Sequence, residues 1–283
     1  MYVYVTLCFI KSVTILLLLH AVDSLKTVTM ITYTCNPDVE CGCSKNSAVL
    51  SKIVGGEQAI VNSWGWAVSL RLFDSHICGG SILSKYYIIT ASHCVLSIPS
   101  LRYASIHVGI NTLSQTGQVR KIAQSFIHAD YDSATHENDI AILRLTTPLD
   151  LSDLTVSTIC LPNSTSALPQ SVEYPLPGST LIAIGWGVLS SESNRVSQTL
   201  QQVTLTAVPK TASTCVRSLS NSSEQFCASA QGKGNNVSFL YQEVTVSIHI
   251  HLAEQRVDPN SSDITKLSKK SHTKDMKHFS FIS

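Results

Sequence analysis

The residues Thr90-Ala91-Ser92-His93-Cys94 begin at the last residue of a short apolar run, Tyr87-Ile88-Ile89-Thr90. This run has the composition and length of a β-strand. Similar short runs rich in Val, Ile, Leu and Thr recur at residues 67–70, 80–83 and 140–143, separated by Gly, Pro, Asn or Ser. No long segment with a helical period occurs among them. The pattern predicts an all-β domain built as an antiparallel barrel or sandwich.

Four further short sequences surround this stretch in a fixed order: Lys52-Ile53-Val54-Gly55-Gly56, Cys78-Gly79-Gly80-Ser81, Asn138-Asp139-Ile140-Ala141 and Gly185-Trp186-Gly187. Together with the histidine motif they strongly resemble the chymotrypsin/trypsin family of serine proteases over residues 53–233. The resemblance implies two antiparallel β-barrels with the catalytic residues in the cleft between them. The family pattern at the histidine is Thr-Ala-Ala-His-Cys, so Ser92 is a small departure.

The resemblance assigns catalytic roles to His93 and Asp139. A neutral His93 imidazole would accept a proton from a nucleophilic hydroxyl and return it to the leaving amine. Asp139 would bind the other ring nitrogen and fix its tautomer. Taken singly, each residue is more often structural, and it is the motif around each that favours catalysis. The remaining histidines of this stretch lack such a context and are predicted to be surface or loop residues: His76, His107, His128 and His136.

The family's nucleophile motif is missing from the chain. A Gly-Asp-Ser-Gly-Gly sequence is expected soon after Cys227, but none occurs, and no Gly follows Gly234. The nucleophilic serine, the oxyanion donors around it, the specificity-pocket residue and the aspartate that should bind the Ile53 amine are lost together. Ser238 lies near the expected distance but has no flanking glycines for an exposed elbow. We therefore expect no detectable peptidase activity.

The sequence divides into four parts. Residues 1–24 read as a secretory signal peptide, in which Lys11 separates two apolar runs too short to span a membrane. Residues 25–52 read as a propeptide tied down by disulfides rather than by a core. Residues 53–233 form the protease domain, with the first barrel complete and the second truncated, and residues 234–283 are an unrelated, partly disordered tail.

The bond between Lys52 and Ile53 is the activation site that the resemblance implies, and a trypsin-like protease is expected to cut it. In this family the new amino group is buried beside an aspartate. An unpaired buried charge costs about 3–5 kcal/mol. Because the aspartate is absent, we expect the Ile53 ammonium to stay in solvent after cleavage.

Nine cysteines favour disulfides over metal, since no Cys-x-x-Cys pair occurs. Removal of the signal peptide takes Cys8 away and leaves an even number, which suits an oxidising compartment. The resemblance pairs Cys78 with Cys94 and Cys215 with Cys227. It gives Cys160 the position that holds the propeptide, with the partner left open among three residues: Cys35, Cys41 and Cys43.

Composition excludes several partners. The net charge is +1 and charged residues make up 14% of the chain, so no basic field attracts nucleic acid or an anionic membrane.

The alternating segment 244–252 is strand-like and is expected to pair with the open edge of the second barrel. Within it His249 and His251 have a spacing that some zinc sites use, but a third ligand is lacking and we expect no metal or cofactor. Glycosylation sequons occur at four positions: Asn163, Asn221, Asn236 and Asn260.

The sequence thus predicts a secreted member of the trypsin-like serine endopeptidases that acts, as a family, on protein or peptide substrates, in a chain that is itself inactive. The alternative is a non-catalytic homologue that binds a partner or acts as a decoy. Loss of a whole block, with His93 and Asp139 kept, favours truncation of an ordinary protease sequence. A genuine isoform and a gene-model error near residue 233 would both produce such a change.

Overall fold

The structure is a computed structural model, and it describes residues 30–33, 35, 38–51, 56–161, 173, 175–189, 195–216, 225–230 and 249–250. Its strands are β1 (Met30–Tyr33), β2 (Ala48–Ser51), β3 (Glu57–Gln58), β4 (Ala67–Leu72), β5 (Ser75–Ser84), β6 (Tyr87–Thr90), β7 (Ala104–Val108), β8 (Gln118–Ile127), β9 (Ala141–Leu145), β10 (Thr180–Gly185), β11 (Gln201–Val208), β12 (Cys227–Ala230) and β13 (His249–Ile250). Its helical segments are α1 (Ser92–Leu96), α2 (Ser213–Val216) and a 3-10 turn at Leu101–Tyr103.

Six of the strands close into an antiparallel barrel, in the order β4-β5-β6-β9-β8-β7, with β7 returning to β4. Their inward-facing apolar side chains alternate along each strand and fill the interior, and Leu70, Ile88 and Leu143 are completely buried. The four runs expected to be strands coincide with or overlap β4, β5, β6 and β9. The all-β class and the first barrel are therefore confirmed.

A second sheet carries the strand order β12-β11-β10-β13, and β3 also pairs with β11. Strands β10 and β11 pair over their full common length, from Thr180 opposite Thr206 to Gly185 opposite Gln201. Strand β13 pairs with the other side of β10, with His249 opposite Ile182. Two residues of the alternating segment 244–252 thus lie at the sheet edge where pairing was expected. The described strands form a sheet, and the truncated second barrel stays a prediction.

The segment before the protease domain takes part in the hydrophobic core. Strands β1 and β2 pair with each other, and β2 points Ala48 and Leu50 inward, where both are buried in the same cluster as the barrel core. Tyr33 stacks on Trp64 with ring centroids 5.9 Å apart. The expectation that disulfides rather than a core hold this segment is therefore wrong, because its alternating strand supplies core side chains of its own.

Four disulfide bonds are present among the described residues. The structure joins Cys78 to Cys94 and Cys215 to Cys227, as the resemblance implies. The partner of Cys160 is Cys41, at a Cα–Cα distance of 5.1 Å. The two cysteines that remain, Cys35 and Cys43, pair with each other.

Several predictions fall outside the described residues. They are the signal peptide, Lys52 and Ile53 of the activation junction, most of the tail, and the four sequons Asn163, Asn221, Asn236 and Asn260. Within the described part of the chain, no helix has the length and apolar character needed to cross a bilayer.

Candidate active site

His93 and Asp139 meet because two neighbouring barrel strands deliver them to the same end. Thr90, the last residue of β6, pairs with Ala141, the first residue of β9. His93 lies just after the first of these and Asp139 just before the second. The imidazole Nδ1 is 2.6 Å from Asp139 Oδ2, and the His93 backbone N–H donates to Asp139 Oδ1 at 2.9 Å.

Asp139 is buried from solvent, and its side chain is 1% exposed. The preceding residue, Asn138, has φ 55°, in the left-handed region that Asn tolerates better than most residues. The buried Ser92 hydroxyl donates to the Ile140 carbonyl at 2.7 Å, which ties α1 to the segment that carries Asp139. Ser92, which stands where the family pattern has Ala, thus has a hydrogen-bond partner for its hydroxyl in this chain.

The outer edge of the His93 ring remains accessible, since its side chain is 32% exposed. Its Nε2 lies 3.3 Å from the Sγ of Cys94, in the disulfide with Cys78. When Nδ1 carries the proton donated to Asp139, Nε2 has a free lone pair. The pair can therefore take up a proton at Nε2 from a hydroxyl within hydrogen-bonding distance of that nitrogen.

Two further residues lie beside this pair, and the sequence motifs do not point to either of them. The His136 ring stands edge-on to the His93 ring, with centroids 6.1 Å apart and planes at 83°. The Tyr131 hydroxyl is 3.4 Å from His136 Nδ1, and burial together with the charge of Asp139 raises the pKa of Tyr131. His136 lies in a loop, as expected. The one sequence feature that could have indicated its place beside the His93–Asp139 pair is its position three residues before Asp139.

His76 and His107 are not surface or loop residues, so that expectation is wrong for both. His107 lies in β7 and is 4% exposed, with Nε2 3.2 Å from the Ser105 hydroxyl and Nδ1 3.1 Å from the Thr116 carbonyl. His76 lies half-buried in β5, with Nδ1 2.8 Å from the Ser69 hydroxyl. Hydrogen-bonding partners on neighbouring strands and loops allow both rings to leave water.

A buried arginine explains the electrostatics of these two histidines. The Arg71 guanidinium donates to the carbonyls of Leu113 at 2.9 Å and Gln115 at 3.3 Å. Burial first, and then the Arg71 charge, lowers the pKa of His76 to about 4, and the same two causes lower the pKa of His107. The three residues of this cluster lie on three barrel strands: Arg71 on β4, His76 on β5 and His107 on β7.

The barrel and the His93–Asp139 geometry agree with a known protein family. The family model described as Trypsin matches residues 53–238, which is more than half of the chain. The chain belongs to the trypsin family. Trypsin-like proteases act on protein or peptide substrates, and membership together with the four disulfides indicates an extracellular protein.

Similar curated proteins are about one third identical to this trypsin-family chain over the residues that align. It is 34% identical over 180 residues to an ovochymase of Halocynthia roretzi, covering 60% of this chain and 11% of that protein. It is 33% identical over 187 residues to trypsin alpha of Drosophila erecta, covering 64% of this chain and 68% of that protein. The chain thus spans a small part of the first relative and about two thirds of the second.

A solved structure similar to this one is that of the human heparin binding protein, with a TM-score of 0.52 and 22% identity. The match covers 64% of this chain and 74% of that chain. At this identity the likeness concerns the fold, and it agrees with the trypsin-like barrel seen here.

Proposed function

We propose that this trypsin-family chain has the histidine and the aspartate of a serine protease active site but does not itself hydrolyse peptide bonds. The observation that carries the proposal is the combination of two facts. His93 and Asp139 are joined at 2.6 Å in a family-like arrangement. The sequence contains no Gly-Asp-Ser-Gly-Gly motif to supply a nucleophile.

The size of the expected loss follows from what each part of the site contributes. When a triad member alone is removed, proteases of this type keep roughly 10³–10⁴-fold catalysis over water, which comes from the oxyanion hole and substrate binding. The backbone donors of that hole surround the nucleophile in the family and are absent with it. A His–Asp pair without the nucleophilic hydroxyl and the oxyanion hole has a general base but no nucleophile for that base to activate.

An active-site phosphonate and a fluorogenic peptide mixture test the proposal on the full chain after treatment with a trypsin-like protease that is then inhibited and removed. We expect no covalent labelling and no hydrolysis above that of the His93→Ala variant. Because His93→Ala lacks the only imidazole in the pair, any contaminating protease acts equally in both samples. Labelling of the native chain that disappears in His93→Ala would show that another serine has taken the nucleophile's role.

Export, activation and modification belong to the same proposal. Its supports are the apolar N-terminal segment, the Lys52–Ile53 junction and the sequons at Asn163, Asn221, Asn236 and Asn260. N-terminal sequencing of material secreted from a eukaryotic host should place the mature N-terminus near residue 25. A mass decrease on enzymatic deglycosylation should appear, and its absence would remove the sequons from the proposal.

The second candidate is a binding or decoy protein, favoured by the intact first barrel and the retained cleft residues. The structural neighbour's name says that it binds heparin, but a net charge of +1 gives this chain no comparable reason to bind a polyanion. Protein or peptide ligands fit the family better. Saturable binding of a substrate-like peptide by a chain that fails to cleave it would favour this candidate.

A further inference from the structure

Three ligand-type side chains converge at the solvent side of the His93–Asp139 pair. One ligand atom from each of His93, His136 and Asp139 lies within 4.8 Å of the other two. Asp139 is buried, whereas both imidazoles are partly accessible. The group therefore combines a buried carboxylate with two imidazoles that water and ions can reach.

The distance between the two rings fits a shared ion. A Zn–N bond is about 2.0–2.1 Å, so two imidazoles that bind one ion have ring centroids about 5–6 Å apart. The centroids of His93 and His136 are 6.1 Å apart, with the rings nearly perpendicular at 83°. Because His136 lies in a loop, we expect a rotation of its side chain to bring the two nitrogens to bonding distance of a single ion.

Each imidazole also has a group that can orient it. Asp139 accepts the Nδ1 proton of His93 at 2.6 Å and leaves the Nε2 lone pair available. The Tyr131 oxygen lies 3.4 Å from Nδ1 of His136 and can accept its proton in the same way. Metal-binding histidines commonly donate their second ring nitrogen to a carboxylate or another acceptor, which fixes the tautomer that binds.

The backbone at His136 supports a specific role for this residue. Its φ is 54°, in the left-handed region, where a residue other than glycine costs on the order of 1–3 kcal/mol. Such conformations persist where the surrounding structure holds them, and they concentrate at functional sites. Here the conformation directs an imidazole towards His93 from a loop three residues before Asp139.

We propose that Nε2 of His93 and Nε2 of His136 bind a divalent transition metal of the zinc class, with Asp139 and Tyr131 as orienting groups and water completing the coordination. Imidazole favours Zn²⁺, Ni²⁺ or Cu²⁺ over Mg²⁺ and Ca²⁺, which prefer oxygen ligands. In this sequence the family's serine motif is missing, so its hydroxyl does not compete for Nε2 of His93. The availability of Nε2 thus rests on the absent nucleophile of the proposed function, whereas metal binding is measured without any hydrolysis assay.

Equilibrium dialysis of the untagged full chain with Zn²⁺ alone tests the proposal. We expect one saturable ion per chain from this site. His136→Asn should weaken its affinity at least about 10-fold, because Asn tolerates the left-handed φ but is a poor zinc ligand. His93→Gln should do the same, and Tyr131→Phe, which removes an orienting group, should weaken it by about 10-fold.

Two controls separate this site from other histidines. His128→Gln alters a loop histidine of the same segment and should leave the affinity unchanged. The double variant His249→Gln/His251→Gln removes the alternative pair in the tail, and it should also leave the cleft affinity unchanged. Binding that survives His136→Asn, binding lost only in the tail variant, or the absence of saturable binding would each overturn the proposal.

A spectroscopic readout keeps the test valid if a variant fails to fold. Imidazole nitrogen resonances of the native chain should move on addition of Zn²⁺ for His93 and His136, while those of the buried His107 stay in place. Resonance changes confined to other histidines would reject the assignment without any substitution.

Discussion

Asp139 supports the imidazole of His93 from a position that water does not reach. Both of its oxygens are used by His93, one by the backbone N–H and the other by the ring. A buried charge of this kind is stable only while its partners remain, because leaving one group of a buried hydrogen bond unpaired costs about 1–3 kcal/mol. The carboxylate therefore stabilises the local fold and fixes the His93 tautomer at the same time.

Replacing this carboxylate by an amide should separate the two effects. Asp139→Asn keeps the shape, but one of the two His93 donors then faces an NH₂ group. We expect the free energy of unfolding to fall by about 1–3 kcal/mol, and the His93 proton to move from Nδ1 to Nε2. Urea unfolding measures the first and nitrogen NMR of the imidazole the second.

Asp130→Asn is the matched control, since Asp130 is an exposed residue of the same loop and its substitution should stay within about 0.5 kcal/mol. A variant Asp139→Asn as stable as the native chain, with Nδ1 of His93 still protonated, would contradict the role given to the carboxylate.

The buried histidines predict a pH dependence of stability. Burial and Arg71 lower the pKa of His76 to about 4 from a usual value of 6.5. Between these values the unfolded chain binds more protons than the folded one. The stabilisation is therefore complete above pH 6.5 and is lost as the pH falls towards 4, by a few kcal/mol at about 1.4 kcal/mol per unit of pKa.

Urea unfolding at pH 7, 6, 5 and 4 measures this slope. In His76→Gln we expect a shallower fall than in the native chain, with some slope remaining because the pKa of His107 is lowered in the same direction. Ser75→Ala, which alters an exposed residue and removes no titratable group, serves as the control and should keep the native slope. Equal slopes in all three proteins would mean that the pKa of His76 is the same in the folded and the unfolded chain.

At the residue scale the sequence predicts what short motifs contain. His93 and Asp139 were expected to meet because each lies in a family-like motif, and they lie 2.6 Å apart. The place of His136 was missed because it depends on how the loop before β9 folds back on α1. The burial of His107 was missed because the Thr116 carbonyl becomes its partner only through the turn after β7, and Ser105 only because both residues point to the same side of that strand.

Among the elements, the contact between β5 and β6 depends on a glycine. A Cβ at Gly80 would lie 2.7 Å from the Ile89 carbonyl oxygen on the neighbouring strand. That oxygen belongs to backbone held in the barrel, so it cannot move aside without disturbing the ladder. Gly80 is needed for this close approach.

Gly80→Ala should therefore destabilise the barrel by about 1–3 kcal/mol, as overpacking does elsewhere. The exposed Ser75 at the start of the same strand provides the control, because Ser75→Ala removes no buried contact and should change stability by less than about 0.5 kcal/mol. Thermal unfolding compares the two. A Gly80→Ala protein that unfolds with the native midpoint would mean that β5 and β6 separate at little cost.

The strands were predictable where the pattern of apolar residues is local. Runs around residues 67–70, 80–83 and 87–90 carry the composition of strands and lie in β4, β5 and β6. The core role of β2 was not predictable, because Ala48 and Leu50 form only a short apolar pair in a polar segment. Their burial comes from contact with a sheet assembled from residues more than a hundred positions away.

At the scale of the whole molecule, two kinds of contact join the segment before residue 52 to the protease domain. One is the disulfide between Cys41 and Cys160. The other is non-covalent: Ala48 and Leu50 lie in the core, and Gln202 Nε2 donates to the Val49 carbonyl at 2.7 Å. Five further hydrogen bonds join residues 40–46 to residues 61–158. Which of them holds the segment after cleavage at Lys52 depends on their magnitudes.

The non-covalent contacts are too weak to act alone. Burial of Leu50 contributes about 1.5–3 kcal/mol, and the hydrogen bond from Gln202 and the five hydrogen bonds with residues 61–158 add about 1 kcal/mol each. The stack of Tyr33 on Trp64 adds about 0.5–1.5 kcal/mol. Micromolar binding requires a net of about 8 kcal/mol, and association itself costs at least about 4 kcal/mol, so a cut segment without the disulfide should dissociate at micromolar protein.

Size-exclusion chromatography after cleavage at Lys52 tests this comparison. The native chain should elute as one species and release the small fragment only in denaturant with reductant. The double variant Cys41→Ser/Cys160→Ser should elute at the native volume while uncut, which shows that it is compact, and should lose the small fragment once cut. Retention of the fragment by the cut double variant would mean that the non-covalent contacts of the segment outweigh the cost of association without the disulfide.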